Sequence, residues 1–431
     1  MVVLNYNGMT HVRTCLDSLL KLEYPADRLE LIFCDNASSD GSVELVRSAY
    51  PSVRVIAHEQ NYGFAEGNNR AAHEASGELV AFLNNDMLVE PAWLSALVEQ
   101  LQANGNTACV SSKILSWDGK TLDYIGAGVN FQGAGFQVDH GLPSSPHDHA
   151  RRLLCPCGGA MLIRRELFLE IGGFDSDYFG FYEDTDLGWR LNLLGHDVWY
   201  APRSVAFHRH HGSFDQVRSE QIRVLYERNS LSTIYKCLEA ENLAAALPVA
   251  MLLINEKALS LATLDRRRFR LGTDVDRDEA PTHRPAADRS YAFDPGEPDG
   301  ESVTGKVRRV LRSHGVGTVL RRSRRFIGAR AAARSRKLVQ RLAGGSMLPA
   351  VSVAHYIALS DFARGIEKLT EKRRWLQERR VRSDAELLPL FLFALTPPFH
   401  DRDYLRVHAR LLKAFGIDVR FAAGQQEPVR L

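Results

Sequence analysis

The chain has 431 residues, of which 45% are apolar and 25% charged, and its formal net charge is only +2. That is an ordinary globular composition with room for two or three domains and a sizeable core. Six cysteines without scaffold spacing exclude a disulfide framework and read as a reducing compartment. No signal-peptide pattern is read at the start, and the longest apolar runs, Leu243–Ile254 and Leu387–Leu395, fall short of the ~20 residues that span a bilayer.

From the start, short apolar runs alternate with amphipathic stretches. Val2–Leu4 reads as a strand, Met9–Lys21 as a helix, Leu29–Cys34 as a strand and Gly41–Ala49 as a helix. Val53–Ala57 is then a strand, Ala65–Ala75 a helix, Leu79–Leu83 a strand, and Pro91–Gln102 a helix with proline in its first turn. This βαβ alternation predicts an α/β fold with a parallel, doubly wound sheet, whose ligands bind at the carboxyl ends of the strands. The first strand starts almost at Met1 and is shorter than the usual length of about five residues, so whether the natural start lies upstream stays open.

The first domain is expected to fill residues 1–240, followed by a helical connector over 241–272. Residues 273–301 hold nine acidic residues and four prolines and read as a linker. Residues 302–345 form a basic amphipathic segment, with thirteen Lys/Arg and no acid between 302 and 341. Residues 346–431 read as a mainly helical or small α/β extension, with strands at Leu387–Ala394 and Asp418–Ala422 around a helix at Tyr404–Phe415.

Five polar clusters carry the chemistry. Asp35-Asn36-Ala37-Ser38-Ser39-Asp40 follows the second strand, where a carboxylate can accept from base or ribose groups or simply cap the next helix. Asn61-Tyr62-Gly63 through Asn68 offers close backbone approach and amide donors, or a plain turn. Asn84-Asn85-Asp86 ends an apolar strand, where one carboxylate suffices for a hard divalent cation whose shell phosphates complete. Glu183-Asp184-Thr185-Asp186 puts three acids in four positions before an amphipathic helix. Crowded carboxylates raise one another's pKa, which suits a general base, although acids at a helix start also complement its dipole. His208-Arg209-His210-His211 follows an apolar stretch and offers imidazole to a metal and guanidinium to phosphate. Cys155-Pro-Cys157 lacks a second pair to complete a zinc site.

In this order and spacing the clusters resemble the inverting GT-A glycosyltransferases of family 2, and among them bacterial rhamnosyltransferase-like members, over Val2 to Cys237. The resemblance implies a Rossmann-like, mostly parallel sheet flanked by helices, and transfer of rhamnose or a hexose from a nucleotide diphosphate to a glycan or glycolipid hydroxyl. It places Asn5, Tyr6 and Asn7 near the nucleotide, Asp35 on base or ribose, and Asn61, Gly63 and Asn68 in the donor loop. Asn84-Asn85-Asp86 stands where the family has Asp-x-Asp, so Asn84 replaces its first acid and Asp86 becomes the metal ligand, with His208 as the late ligand to Mn2+ or Mg2+. Gly158 and Gly159 match the acceptor-side loop, to which Trp189 is assigned as well. Asp184 matches the catalytic base, with Glu183 and Asp186 beside it. The implied donor is dTDP-rhamnose or a UDP-hexose, and the implied acceptor is a glycan or lipid-linked glycan.

Such acceptors favour reading 302–341 as an Arg-rich helix on anionic lipid at the inner face of the cell membrane, in a cytoplasmic protein, over a nucleic-acid segment. Two other functions compete: a non-catalytic nucleotide-sugar or polysaccharide-binding module, and a membrane-surface scaffold. Retention of Asp86, Asp184 and His208 together argues for the enzyme, because a binding module needs no base.

Overall fold

The computed structural model describes residues 1–144, 147–209, 218–262 and 348–426. The first half follows the predicted alternation: β1 Val2–Asn5, α1 Met9–Leu19, β2 Ile32–Asp35, α2 Ser42–Ala49, β3 Arg54–Ala57, α3 Gly63–Glu74, β4 Leu79–Asn84, β5 Met87–Val89 and α4 Trp93–Ala103. The chain then forms β6 Thr107–Ser116, β7 Leu122–Tyr124, β8 Ala127–Val129, β9 Gly135–Gln137, β10 Arg151–Leu153, β11 Ala160–Arg164, α5 Arg165–Glu170, α6 Glu183–Leu193 and β12 Asp197–His208. Helices α7 Ser219–Cys237, α8 Ala240–Ala262, α9 Ala350–Arg364, α10 Ile366–Glu378, α11 Asp384–Leu387, α12 Arg402–Ala414 and α13 Ile417–Arg420 follow.

The main sheet has the order β10-β12-β6-β11-β4-β1-β2-β3, with β5 on β12 and β7 on β6. Its β3-β2-β1-β4 half is parallel, as the βαβ pattern requires. The other half is mixed, because β11 lies antiparallel to both β4 and β6. The departure from the expected mostly parallel sheet is local: β11 enters between two strands that run the other way.

Side-chain alternation assigns the two faces of the sheet. Val3, Phe33 and Leu83 point to α1 and α4 in one core, and Val2, Ile32 and Phe82 point to α3, α5 and α6 in the other. A third core lies under the C-terminal helices. There Trp189 and Leu193 of α6 meet Leu231 and Ile234 of α7, Leu253 of α8, Phe391, Tyr404 and Phe421. Helix α6 is therefore apolar on two sides, and all of its last nine residues, Thr185–Leu193 with Asp186 and Arg190 among them, sit in the interior.

The C-terminal region is helical, as expected in outline, but its two expected strands are absent among the described residues. A capping box, Ser383 with Glu386, starts α11 where a strand was read, and Leu388–Leu390 continues as a 3-10 turn through Pro389. Gly416, at φ 65°, ends α12 and lets the chain restart as α13. The residues after Leu390 instead dock on the first domain, where Val129 N–H donates to Phe391 O at 2.8 Å and Phe131 N–H to Ala394 O at 2.9 Å. Helix α8 outruns the apolar stretch seen in the sequence. It alone among the described helices is long and apolar enough to cross a membrane by length and composition, and one side of it is packed into the third core. The acidic linker and the basic segment 302–341 lie outside the described residues.

Candidate active site

The carboxyl ends of β1, β2 and β4 carry a hydrogen-bonded polar layer. Asn5 is buried, and its Nδ2 donates to Asp35 Oδ1 (2.8 Å) and Ser42 Oγ (2.9 Å), while its Oδ1 accepts from Asn85 Nδ2 (2.6 Å). Asp35 also accepts from the Ser38 amide and hydroxyl. Asn7, at φ 51°, accepts the Ser39 amide through Oδ1. Asn5, Asp35 and Asn85 thus spend their polar groups on shaping one loop cluster. Ser38, Ser42 and Asp40, whose carboxylate accepts from the Met9 amide at the start of α1, complete it. In the sequence Ser38 and Asp40 stand only as members of a loop that can cap the next helix.

The next donor-loop residues are built the same way. Asn61 Oδ1 accepts from the Gly63 amide (2.8 Å) and from Asn36 Nδ2 (3.3 Å), and Asn68 donates back along α3 to Phe64 O (3.0 Å). Gly63, at φ 75°, is needed for a reason local to the fold. A Cβ there would lie 2.4 Å from the carbonyl oxygen of Phe179.

Register brings the cation-seeking residues together. In the β5–β12 pair His208 faces Met87, which sets its ring beside Asp86. Nε2 of His208 is 3.2 Å from Asp86 Oδ2, and Nδ1 is 2.7 Å from Asp123 Oδ2 on β7. Burial opposes a charge on the ring, but Asp123 and Asp86 outweigh it and push His208 up to about 10. Burial likewise opposes charge on Asp86, yet His208, with His11 beyond it, holds that carboxyl below its ordinary range. This pocket collects one positive charge between two carboxylates. Once Nε2 gives up its proton, one carboxylate and one imidazole, with a carboxylate behind the imidazole, would fit a divalent cation whose remaining ligands come from a diphosphate. Among the described residues no group of three or more such side chains could hold a metal alone. Asp123 was missed in the sequence because an isolated Leu-Asp-Tyr strand carries no motif.

The acidic pair is tied to the Asn84 end of β4 through the loop before β11. Because β11 pairs with β4, the Asn84 amide donates to Gly159 O (2.9 Å), and the neighbouring Gly158 amide donates to Asp184 Oδ2 (3.0 Å). A Cβ at Gly159 would come within 2.7 Å of Asn84 Nδ2, and one at Gly158 within 3.2 Å of Asp184 Cβ. The two glycines therefore form the seam between the strand end that leads to Asp86 and the helix start that carries Asp184. Burial first, and then the charge of Asp184, drives the Cys157 thiol beside this seam far up.

Glu183 and Asp184 are unequal. Glu183 is buried, its Oε2 lacks a hydrogen-bond partner, and burial together with the Asp184 charge raises it well above the carboxylate range. Burial raises Asp184 too, but the amides of Gly158 and Thr185 donate to it and oppose the rise. Asp184 therefore carries the negative charge of the pair and Glu183 the proton.

Two expected site residues sit elsewhere. Asp186 is fully buried and paired on both oxygens, with Lys236 Nζ at 2.6 Å and Arg190 Nε at 2.7 Å, so it neutralises the interior end of α6. Trp189 is fully buried against Phe391, with ring centroids 4.8 Å apart, and belongs to the third core. Of the late basic cluster, Arg209 stacks its guanidinium over Trp117 at 4.9 Å, and His210 and His211 lie outside the described residues. All six cysteines are free.

Comparison with known proteins bears on residues 1–172, which match the family model described as Glycosyl transferase family 2. The O-antigen biosynthesis protein RfbC of Myxococcus xanthus is 34% identical over 193 residues, 43% of this chain and 15% of that protein. The N-acetylglucosaminyl-diphospho-decaprenol L-rhamnosyltransferase of Mycobacterium tuberculosis is 27% identical over 232 residues, 48% of this chain and 75% of that protein. The chain thus spans a small part of the first relative and three quarters of the second. Among solved structures, GalNAc-T7 with UDP, GalNAc and Mn2+ aligns with a TM-score of 0.47 and 17% identity, over 58% of this chain and 50% of that one.

Proposed function

Residues 1–172 are a glycosyl transferase family 2 domain, and from that premise we propose that this protein moves a sugar from a nucleotide diphosphate to an acceptor hydroxyl with inversion at the anomeric carbon. The observation that carries the reading is the Gly158–Gly159 seam, which joins Asp184 to the Asn84 end of β4 and so to Asp86 and His208. Asp184 takes the acceptor proton as the hydroxyl attacks, and its raised basicity suits that role. Glu183, holding its proton, leaves Asp184 as the charged partner. Asn84 and the loop built on Asn5, Asn7, Asp35, Asn61 and Asn68 line the nucleotide side. Asp86 and His208 would hold a Mn2+ or Mg2+ ion, with Asp123 orienting the imidazole. When bound, such a cation neutralises charge growing on the leaving diphosphate.

For the donor we favour dTDP-rhamnose, with UDP-hexoses next, in keeping with the name of the mycobacterial relative. That relative's name also supports a lipid-linked glycan acceptor. An acceptor of that kind suits a cytoplasmic protein held at the inner membrane face through the basic segment 302–341. The test is a panel of dTDP-rhamnose, UDP-glucose and UDP-galactose, scored by thermal shift with manganese and then by turnover. A true donor raises the melting temperature by mass action. The reading falls if no nucleotide sugar stabilises the protein, or if Asp184→Asn turns over donor as fast as the wild type.

A further inference from the structure

Glu183 and Asp184 follow backbone that bulky residues do not adopt unaided. Phe179, Phe181 and Tyr182 have φ of 64°, 68° and 66°. Left-handed values at three aromatic residues in four persist only where the surroundings impose them. Two sets of hydrogen bonds do so here. From α3, the amides of Phe64 (2.6 Å) and Ala65 (3.4 Å) donate to Phe179 O. From α7, the fully buried Asn229 places its Nδ2 at 3.2 Å from Tyr178 O, 3.0 Å from Gly180 O and 2.8 Å from Phe181 O. Beside it, Arg228 Nη2 donates to Asp177 O (2.9 Å) and Tyr178 O (3.1 Å).

Arg228 also fixes which way the Asn229 amide points. Its Nε and Nη2 both donate to Asn229 Oδ1, at 3.0 and 2.9 Å. A flipped amide would set NH2 against the guanidinium and its oxygen against three carbonyls, which is repulsive at both ends. The two side chains therefore act as one unit, with Asn229 Nδ2 and Arg228 Nη2 aimed at the backbone just before the acidic pair.

We propose that Arg228 and Asn229 are positioning residues: they hold the 177–182 backbone in its left-handed course and so set where Asp184 meets the acceptor, without touching substrate. This rests on the reading of Asp184 as the base. The pair lies beyond the family-matched residues 1–172 and belongs to no motif in the sequence. Every carbonyl it holds lies between Asp177 and Phe181, on the backbone that leads into Asp184, so its loss falls first on the turnover step.

The test is Asn229→Asp, which keeps size and keeps an acceptor for Arg228 but removes the amide protons. It is assayed with whichever of dTDP-rhamnose, UDP-glucose and UDP-galactose the wild type turns over. The expected result is a kcat lower by up to roughly 100-fold, the cost of displacing a catalytic group by about 1 Å. The donor KM should stay within about twofold, and amide exchange in the 178–186 peptide should quicken. A folded variant with native kcat and native exchange overturns the proposal. Should Asn229→Asp fail to fold, Arg228→Gln decides: lowered kcat at unchanged donor KM supports the clamp, and native kcat overturns it. Asp184→Asn run in parallel separates the two readings. If it is inactive while Asn229→Asp is native-like, only the clamp fails, and if it is active, the base assignment fails as well.

Discussion

The backbone amide of Gly158 donates to the Asp184 carboxylate at 3.0 Å, so the residue proposed as base is held by a strand-end loop 26 residues earlier in the chain. Two substitutions follow from that bond. Asp184→Asn should lower kcat by on the order of 1,000-fold, within the range of a lost general base, with donor affinity kept. Gly158→Ala places a Cβ 3.2 Å from both Asp184 Cβ and the Phe64 ring, tight enough to shift the carboxylate by a few tenths of an ångström. Its kcat should fall about tenfold. Steady-state kinetics with a fixed donor, together with melting curves to establish folding, measure both.

Glu183 gives a pH-dependent stability whose sign can be worked out. Its folded pKa is raised by burial and by Asp184. Above the ordinary carboxylate range the unfolded chain therefore releases a proton that the folded chain keeps. Stability falls as pH rises through that window. Glu183→Gln preserves the neutral shape and removes the titration. The variant should have a higher urea midpoint than the wild type at pH 7 to 8 and an equal one near pH 4. A midpoint difference that does not change with pH would contradict the protonated state assigned to Glu183.

Asp123 is the carboxylate behind His208, at 2.7 Å from Nδ1. Such a partner fixes the tautomer and sharpens the basicity of the other ring nitrogen, and its loss typically weakens a metal site by 10- to 100-fold. Asp123→Asn should raise the dissociation constant for Mn2+, measured on the protein alone by calorimetry or electron paramagnetic resonance, by about that factor. Asp86→Ala should raise it further. EDTA should abolish transfer by the wild type, and added Mn2+ should restore it.

How far the sequence speaks depends on whether the signal is local. The β1–β4 half was legible because each strand there is a short apolar run followed by an amphipathic helix, and the polar ends of those strands are contiguous motifs. The antiparallel entry of β11 was not legible, because its pairing with β4 and β6 is a long-range choice that Ala160–Arg164 does not encode locally. Asp184, Asp86 and His208 stood out as members of clusters, whereas Asp123, Arg228 and Asn229 stand outside any cluster and on distant elements. Asp186 and Trp189 were misplaced for one shared reason. Helix α6 looks one-sided in the sequence, with Leu187, Leu191 and Leu194 as its face, but the C-terminal helices cover its other side. Lys236, reaching in from α7, and Arg190, one turn on in α6, take the two oxygens of Asp186.

The docking of those C-terminal helices carries its own titration. His408 on α12 is 5% exposed, tilted against Phe131 (5.9 Å) and stacked on Tyr404 (5.9 Å), and burial lowers it to about 4. Between its unfolded pKa of about 6.5 and that value, the unfolded state binds a proton that the folded state refuses. Its contribution is therefore complete above the unfolded pKa and is lost as pH falls towards 4, at a cost of up to about 3 kcal/mol. His408→Leu keeps an apolar side chain in the same space and cannot titrate. Wild type and variant should differ in urea midpoint by a constant amount above pH 7, and the wild type should lose stability faster than the variant from pH 6.5 to 4.5. Parallel curves over that interval would mean that the ring finds a partner once protonated, and that the packing of α12 on Phe131 opens without unfolding the rest.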